Sequence, residues 1–249
     1  MRYGILGPLQ VVVGGQPDAP TAPKVRALLA ALLVRADHVV SVDELVAELW
    51  GDVPPRRATA ALHVYVSQLR RFLAEHGRSP VRTCAPGYVL ELGEDGSDAR
   101  VLELLLHRGR ADLRAQRHAA AAEAFGAGLA LFRGPVDRTE GAIAGRFASW
   151  ARETRLECAE QLVVCRFALG RHQETIGLLS ELVVEFPLHE PLHEQLMLAY
   201  YRCGRRVEGL AAYRATRRRL SEELGLEPSA SLRSLHQAML VEGDRQRVS

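Results

Sequence analysis

The strongest constraint on the fold is an apolar stripe in the segment between Pro55 and Gly77. Apolar side chains fall there at intervals of three or four residues, at Ala58, Leu62, Val66, Leu69 and Leu73. This spacing places them on one face of an α-helix and does not fit the two-residue alternation of a strand. We therefore predict a long helix that ends near His76 and packs its apolar face on a core.

The face of this helix opposite the stripe is cationic and polar. At 100° per residue it consists of Arg56, Arg57, Ala60, His63, Val64, Ser67, Arg70 and Arg71. Residues 55–82 contain six arginines and one acidic residue, Glu75, which is the charge distribution of a phosphate-binding surface. Val64 points away from the core, where it could meet a thymine methyl group in a major groove. A solvated helix face with one exposed valine explains the same pattern.

Two shorter helices precede the long one. The first is indicated by an apolar stripe at Val25, Leu28, Leu29, Leu32 and Leu33. In the second, Ser41 and Glu44 have the spacing of a capping box, and Gly51 is placed to end the helix. Before both helices, the alternating segment 3–13 and the following glycine pair predict short strands and a turn.

A β-hairpin is predicted directly after the long helix. Residues 81–83 and 88–92 are separated by a turn that contains Gly87, and Tyr88, Leu90 and Leu92 alternate toward the core. Strands, three helices and a C-terminal hairpin in this order describe a winged helix-turn-helix. In that fold the third helix enters the major groove, and the hairpin, or wing, lies along the backbone or minor groove.

The rest of the chain has a helical pattern with an internal repeat. Gly170-Arg171 is followed 34 residues later by Gly204-Arg205, and Glu174 is matched in the same way by Glu208. A period of this length is typical of tetratricopeptide helix pairs, whose stacked repeats share one core. Near the C-terminus, Gly225 is placed to cap one helix before the last helix begins. The predicted fold class is therefore mainly α with small β sheets.

Four segments of the first ninety-odd residues resemble a known family. They are YGILGPLQV, PKVRALLAALLVRADHVVSVDELVAELWGDVPP, LHVYVSQLRRFL and APGYVLEL, and they look like the OmpR-type winged helix of the Streptomyces antibiotic regulatory proteins. The later segment GRHQETIGLLSELVVEFPLHEPLHEQLMLAYYRCGRR resembles the bacterial transcriptional activation domain of that family. The expected domains are residues 1–93, which bind DNA, and residues 97–249, a tetratricopeptide-like activation domain.

The resemblance also implies which residues contact DNA. The family's contact positions correspond to Arg56, Arg57, His63, Ser67, Arg70 and Arg71. Cys84 and Val89 stand where the family often has arginine, so the wing contacts are expected to come from Arg82 and Thr83. By charge, Lys24 joins the helix arginines in neutralising phosphates, while His63, Val64, Ser67 and Arg71 read base edges.

The family resemblance implies a transcriptional activator. Two copies would bind direct repeats near the −35 element of a promoter and hold RNA polymerase, with its sigma factor, at a secondary-metabolite gene cluster. The alternative is a helical-repeat scaffold for protein interactions whose basic helix has no specific role in DNA binding. Binding to promoter DNA separates these two functions.

Enzymatic and metal-dependent functions find little support. Residues 189–193 match the zinc-protease pattern HExxH, but Pro191 is best tolerated in the first turn of a helix, so His189 is expected at or before the helix start. The four cysteines form no CxxC pair, and Walker A, paired-glycine and GxSxG motifs are absent from the sequence. We expect no catalytic site, no metal and no cofactor. Without an apolar run long enough for a membrane span, we expect a cytoplasmic, nucleoid-associated protein.

Overall fold

A computed structural model describes residues 1–136 and 141–245, apart from the side chains of residues 242–245. The last four residues of the predicted activation domain therefore lie outside the described chain. The N-terminal elements are β1 (Arg2–Gly4), β2 (Gln10–Val13), β3 (Gln16–Asp18), α1 (Pro23–Val34), β4 (Val40–Ser41), α2 (Val42–Trp50), α3 (Ala58–Glu75), β5 (Val81–Cys84), β6 (Gly87–Leu90) and β7 (Gly96–Ser97).

Helices dominate the remainder. They are α4 (Asp98–Arg114), α5 (His118–Ala130), α6 (Ala142–Ala168), a short 3-10 helix (His172–Thr175), α7 (Ile176–Glu185), α8 (Glu190–Arg202), α9 (Arg206–Leu224) and α10 (Ala230–Arg245). None of the helices in the described part of the chain is long and apolar enough to cross a bilayer.

Two small sheets flank the first three helices. One has the strand order β3-β2-β1-β7, with Tyr3 opposite Val11 in the antiparallel β1–β2 pair and β7 parallel to β1. The other has the order β4-β6-β5, so the predicted hairpin gains a third strand. The sequence did not predict β4 and β7, because strands of two residues are too short to show an alternating pattern.

The predicted helical stripes form the core of the N-terminal part. All five stripe residues of α3 are buried, as are the five of α1. The capping box of α2 is present, with the Ser41 hydroxyl and the Glu44 backbone and side chain hydrogen-bonded reciprocally. The winged helix and the helical domain behind it, predicted from the sequence, are therefore confirmed as the architecture of this chain.

Packing divides the chain into two compact units. The first consists of residues 1–107 and 127–155, and the second of residues 108–126 and 156–249. The unit that contains the winged helix thus continues beyond residue 93. Ile143, at the start of α6, belongs to the same buried cluster as the stripes of α1 and α3. The cause is a set of contacts between residues far apart in sequence, which no local pattern signals.

The 34-residue repeat has the same backbone geometry in both copies, which lie in the second unit. Gly170 and Gly204 have φ angles of 71° and 72°, a left-handed conformation that favours glycine. The amide of the following arginine donates a 2.8 Å hydrogen bond to a carbonyl of the preceding helix in each copy. Helix α8 packs against α7, α9 and α10, and Gly225 ends α9 in the left-handed conformation, as predicted.

The four cysteines are unpaired thiols in different surroundings. Cys158 and Cys165 are buried, Cys203 is partly buried and Cys84 is exposed. Burial raises the pKa of Cys158 to about 12, so this thiol stays protonated and unreactive at neutral pH.

Candidate nucleic-acid interface

The outer face of α3 is presented to solvent because its inner face is held in the core. Leu62 and Leu69 have no exposed surface, whereas Val64, which lies on the other side of the helix, is 53% exposed. The predicted contact residues Arg56, Arg57, His63, Ser67 and Arg71 are all exposed, and Arg70 is partly buried. Every side chain that the sequence assigns to this helix face therefore lies on one side of α3 or just before it.

Exposed positive charges precede and follow the middle of this face. Arg56 and Arg57 lie in the turn before α3, and Arg71 lies in its second half. Within the described residues, these three guanidinium groups have no ion-pair partner, so their donors are available to an external acceptor. Ser67 differs, because its hydroxyl donates a 2.9 Å hydrogen bond to the carbonyl of His63.

Arg70 contacts the wing. Its Nε donates to the carbonyl of Val81 at 3.0 Å, and its Nη2 donates to the hydroxyl of Thr83 at 2.9 Å. The guanidinium carbon also lies 5.8 Å from the centre of the Tyr88 ring. The structure thus brings two predicted contact residues, one on the helix and one on the wing, into direct contact with each other.

The wing itself is a short, well-defined hairpin. Arg82 is exposed and forms a 2.8 Å ion pair with Glu91, which is also in contact with solvent. Gly87 begins β6 at a place where β4 approaches closely, and a Cβ there would overlap with the carbonyl of Val40. Any residue other than glycine would therefore displace either the wing or β4.

Lys24 is not on α3 but is the second residue of α1. Its ammonium group donates a hydrogen bond to the carbonyl of Leu49 and lies 5.9 Å from the centre of the Trp50 ring. It therefore interacts with the C-terminal end of α2, where a cation is favoured by the helix dipole. The contact of Lys24 with a DNA phosphate stays a prediction.

The sequence analysis missed an important buried acid, Glu48 on α2. Glu48 is 3% exposed, and its two carboxyl oxygens accept hydrogen bonds from the backbone amides of Ile143 at 2.7 Å and Ala144 at 3.0 Å. These amides belong to the first turn of α6, where a negative charge is favoured. The sequence does contain a sign of this burial. Glu48 follows Leu45 by three residues and therefore lies on the apolar face of α2.

The HExxH segment has the geometry of a helix start. Helix α8 begins at Glu190, and His189 lies just before it. His189 Nε2 is 2.8 Å from a carboxyl oxygen of Glu160, whereas the buried His193 donates from Nε2 to the carbonyl of Pro187 at 2.9 Å. Across the described residues, no cluster of three or more histidine, cysteine or acidic side chains has metal-binding geometry.

Comparison with known proteins establishes the family. The model described as "Transcriptional regulatory protein, C terminal" matches residues 15–90, and the bacterial transcriptional activator domain matches residues 97–240. Regulatory protein DnrI of Streptomyces peucetius is 36% identical over 251 residues, which cover 96% of this chain and 92% of DnrI. The chain belongs to the Streptomyces antibiotic regulatory protein family. This is a family of transcriptional regulators, not of enzymes.

Further relatives extend the family to mycobacteria. Transcriptional regulator RedD of Streptomyces coelicolor is 35% identical over 97% of this chain and 71% of RedD. EmbR of Mycobacterium tuberculosis is 35% identical over 96% of this chain, which spans 63% of the length of EmbR. A solved structure of EmbR, in complex with a low affinity phosphopeptide, is similar with a TM-score of 0.85 at 33% identity and covers 97% of this chain and 65% of the EmbR chain.

Proposed function

We propose that this protein is a sequence-specific DNA-binding activator of transcription. The observation that carries the proposal is the outer face of α3 together with the turn before it. Three exposed arginines, which have no ion-pair partner among the described residues, lie there before and after Val64 and Ser67. An exposed cationic helix next to a wing is the surface that a winged helix presents to the major groove and the adjacent backbone. Membership of a family of transcriptional regulators supports the same function.

We assign residues to phosphate contacts or to base contacts by the charge and hydrogen-bonding groups of their side chains. Arg56, Arg57, Lys24 and Arg82 neutralise phosphates, which gives affinity that falls steeply with salt. His63, Val64, Ser67 and Arg71 reach base edges, which gives sequence preference. Ser67 can serve in this role because a hydroxyl has two lone pairs, so it can accept from a base while it donates to His63.

We further propose how the whole protein acts. Residues 1–93 form the DNA-binding domain and residues 97–249 the activation domain. Two copies bind adjacent direct repeats near a −35 element and contact RNA polymerase with its sigma factor, at the nucleoid in the cytoplasm. The similarity to DnrI and RedD supports a secondary-metabolite gene cluster as the target.

Substitutions on α3 test the DNA-binding proposal. We expect Arg71→Ala and Ser67→Ala each to weaken binding by about 1–3 kcal/mol, the range for one good base contact. The duplex is one that the wild-type chain enriches from a random-sequence library, and affinity is measured by fluorescence anisotropy. Thermal melting of both variants should match that of the wild type, because neither side chain is part of the core.

The matched control is Arg2→Ala, which removes an exposed arginine on β1. It should bind the duplex like the wild type. If the wild-type chain enriches no duplex, or if both α3 variants retain full affinity, the assignment of this face to DNA is wrong. In that case the helical-repeat scaffold becomes the better description of the protein.

A further inference from the structure

Helix α3 holds both strands of the wing through one side chain, Arg70. Arg70 reaches β5 through hydrogen bonds to the Val81 carbonyl (3.0 Å) and the Thr83 hydroxyl (2.9 Å). It reaches β6 through the ring of Tyr88, which is 5.8 Å from its guanidinium carbon and only 6% exposed. His63, two turns earlier on α3, contacts the same ring edge-on, with ring centres 6.4 Å apart.

The position of β5 explains why these contacts of Arg70, which we call the brace, matter for the wing. In the order β4-β6-β5, strand β5 is at the edge of the sheet, so one side of its backbone faces no other strand. Beyond Cys84 and Gly87 the hairpin has only a two-residue tip. A short strand at a sheet edge opens more readily than a central strand unless side chains hold it to the domain.

The hydrogen bond to Thr83 has a direct consequence for an anionic ligand. A hydroxyl has one proton to donate and two lone pairs to accept with. Arginine only donates, so Thr83 accepts from Arg70 and keeps its own proton for another partner. Phosphate oxygens only accept hydrogen bonds at neutral pH. The arrangement therefore leaves Thr83, which is exposed, ready to donate to a DNA phosphate.

We propose that Arg70 is the positioning residue of the wing. It fixes the hairpin against α3 and orients the Thr83 hydroxyl toward the DNA backbone, so that its main contribution to binding passes through Thr83. The proposal deepens the DNA-binding function proposed above and rests on it for the phosphate contact. Its neighbour Arg71 is exposed and makes no such contacts among the described residues, which provides a control with equal charge on the same helix.

The brace is tested first without DNA. Arg70→Lys keeps the positive charge but lacks the planar fork that reaches two acceptors at once. We expect faster amide hydrogen exchange in peptides that cover residues 81–90 of the full-length protein, and wild-type exchange in Arg71→Ala. Unchanged exchange of residues 81–90 in Arg70→Lys would overturn the brace, whatever the protein binds.

The Thr83 step is tested with the duplex that the wild-type chain enriches from a random-sequence library. Arg70→Lys and Thr83→Val should each bind about tenfold more weakly, the loss expected for one contact. Because both changes remove the same phosphate contact, the double variant should also bind about tenfold more weakly, and not about a hundredfold as independent sites would. A role limited to folding stability would lower the melting temperature and leave the affinity of the folded protein unchanged.

The hydrogen-exchange experiment and the DNA-binding experiment test different steps of the proposal. Independent, multiplying losses in the double variant would overturn the orientation of Thr83 by Arg70. A wild-type chain that binds no duplex would overturn the DNA-binding function and with it the phosphate contact, while the exchange experiment still decides whether Arg70 holds the wing. Normal thermal melting of Arg70→Lys checks that the variant is folded in both arms.

Discussion

Glu48→Gln is the substitution that most directly tests how the winged helix is attached to the chain that follows it. The two oxygens of Glu48 accept hydrogen bonds from successive amides of α6, those of Ile143 and Ala144, at 2.7 and 3.0 Å. Glutamine has nearly the same shape but only one accepting oxygen. Its amide nitrogen would face the second backbone N–H, so two donors would oppose each other in a buried place.

The expected cost follows from these contacts. A hydrogen bond to a charged acceptor contributes about 1.5–3 kcal/mol, and a buried donor left without an acceptor costs about 1–3 kcal/mol. Because one of the two hydrogen bonds survives in the variant, we expect Glu48→Gln to lower the free energy of unfolding by about 2–4 kcal/mol. For a chain of this size, that corresponds to a fall of roughly 4–16 °C in Tm.

The assay is urea unfolding of the full chain, followed by circular dichroism. A second variant, Gly141→Ala, should destabilise in the same direction, because its Cβ would overlap with the carboxyl group of Glu48. The control is Asp52→Asn, which removes the charge of an exposed acid just after α2 and should leave the free energy of unfolding unchanged. If Glu48→Gln unfolds within about 0.5 kcal/mol of the wild type, the range of an ordinary surface change, the reasoning is refuted.

Two further predictions concern other parts of the fold. The fragment 1–96 should melt at a lower temperature than the winged helix does in the full chain, because it lacks Ile143 from the shared core and the partners of Glu48; equal melting temperatures by differential scanning calorimetry would contradict this. Burial lowers the pKa of His193 below its ordinary value of about 6.5. The folded protein therefore keeps His193 neutral while the unfolded chain takes up the proton first as the pH falls, so this contribution to stability is complete above about pH 6.5 and is lost below it. Urea unfolding at pH 7.5 and 5.5 should show a larger loss for the wild type than for His193→Gln, and an equal loss in both would disprove the assignment.

Local patterns in the sequence were enough to predict most of the helices that form the candidate site. The stripes of α1 and α3, the capping box at Ser41 and the glycine end of α9 all appear in the structure as predicted. Each of these features depends on residues within one or two turns of each other. Helix geometry relates such residues in a fixed way, so their spacing is sufficient evidence.

The roles of individual charged residues depended on the tertiary structure. From the sequence, Arg70 and Lys24 were equivalent to the other cations near α3, yet one contacts the wing and the other the end of α2. Only folding showed which donors are already occupied inside the protein. The contact residues of the site therefore remain a proposal, whereas the helix that carries them is established.

The sequence by itself determined the identity and order of the main elements, the exposed face of α3 and the repeat of helix pairs. The tertiary structure decided how far the N-terminal unit extends, through Glu48 and Ile143, which are 95 residues apart in the chain. It also decided the pairing of the two-residue strands β4 and β7. The physical reason is the same in each case. Helix periodicity and capping arise from neighbouring residues, whereas burial of a carboxylate or pairing of a short strand requires a partner that only the folded chain brings close.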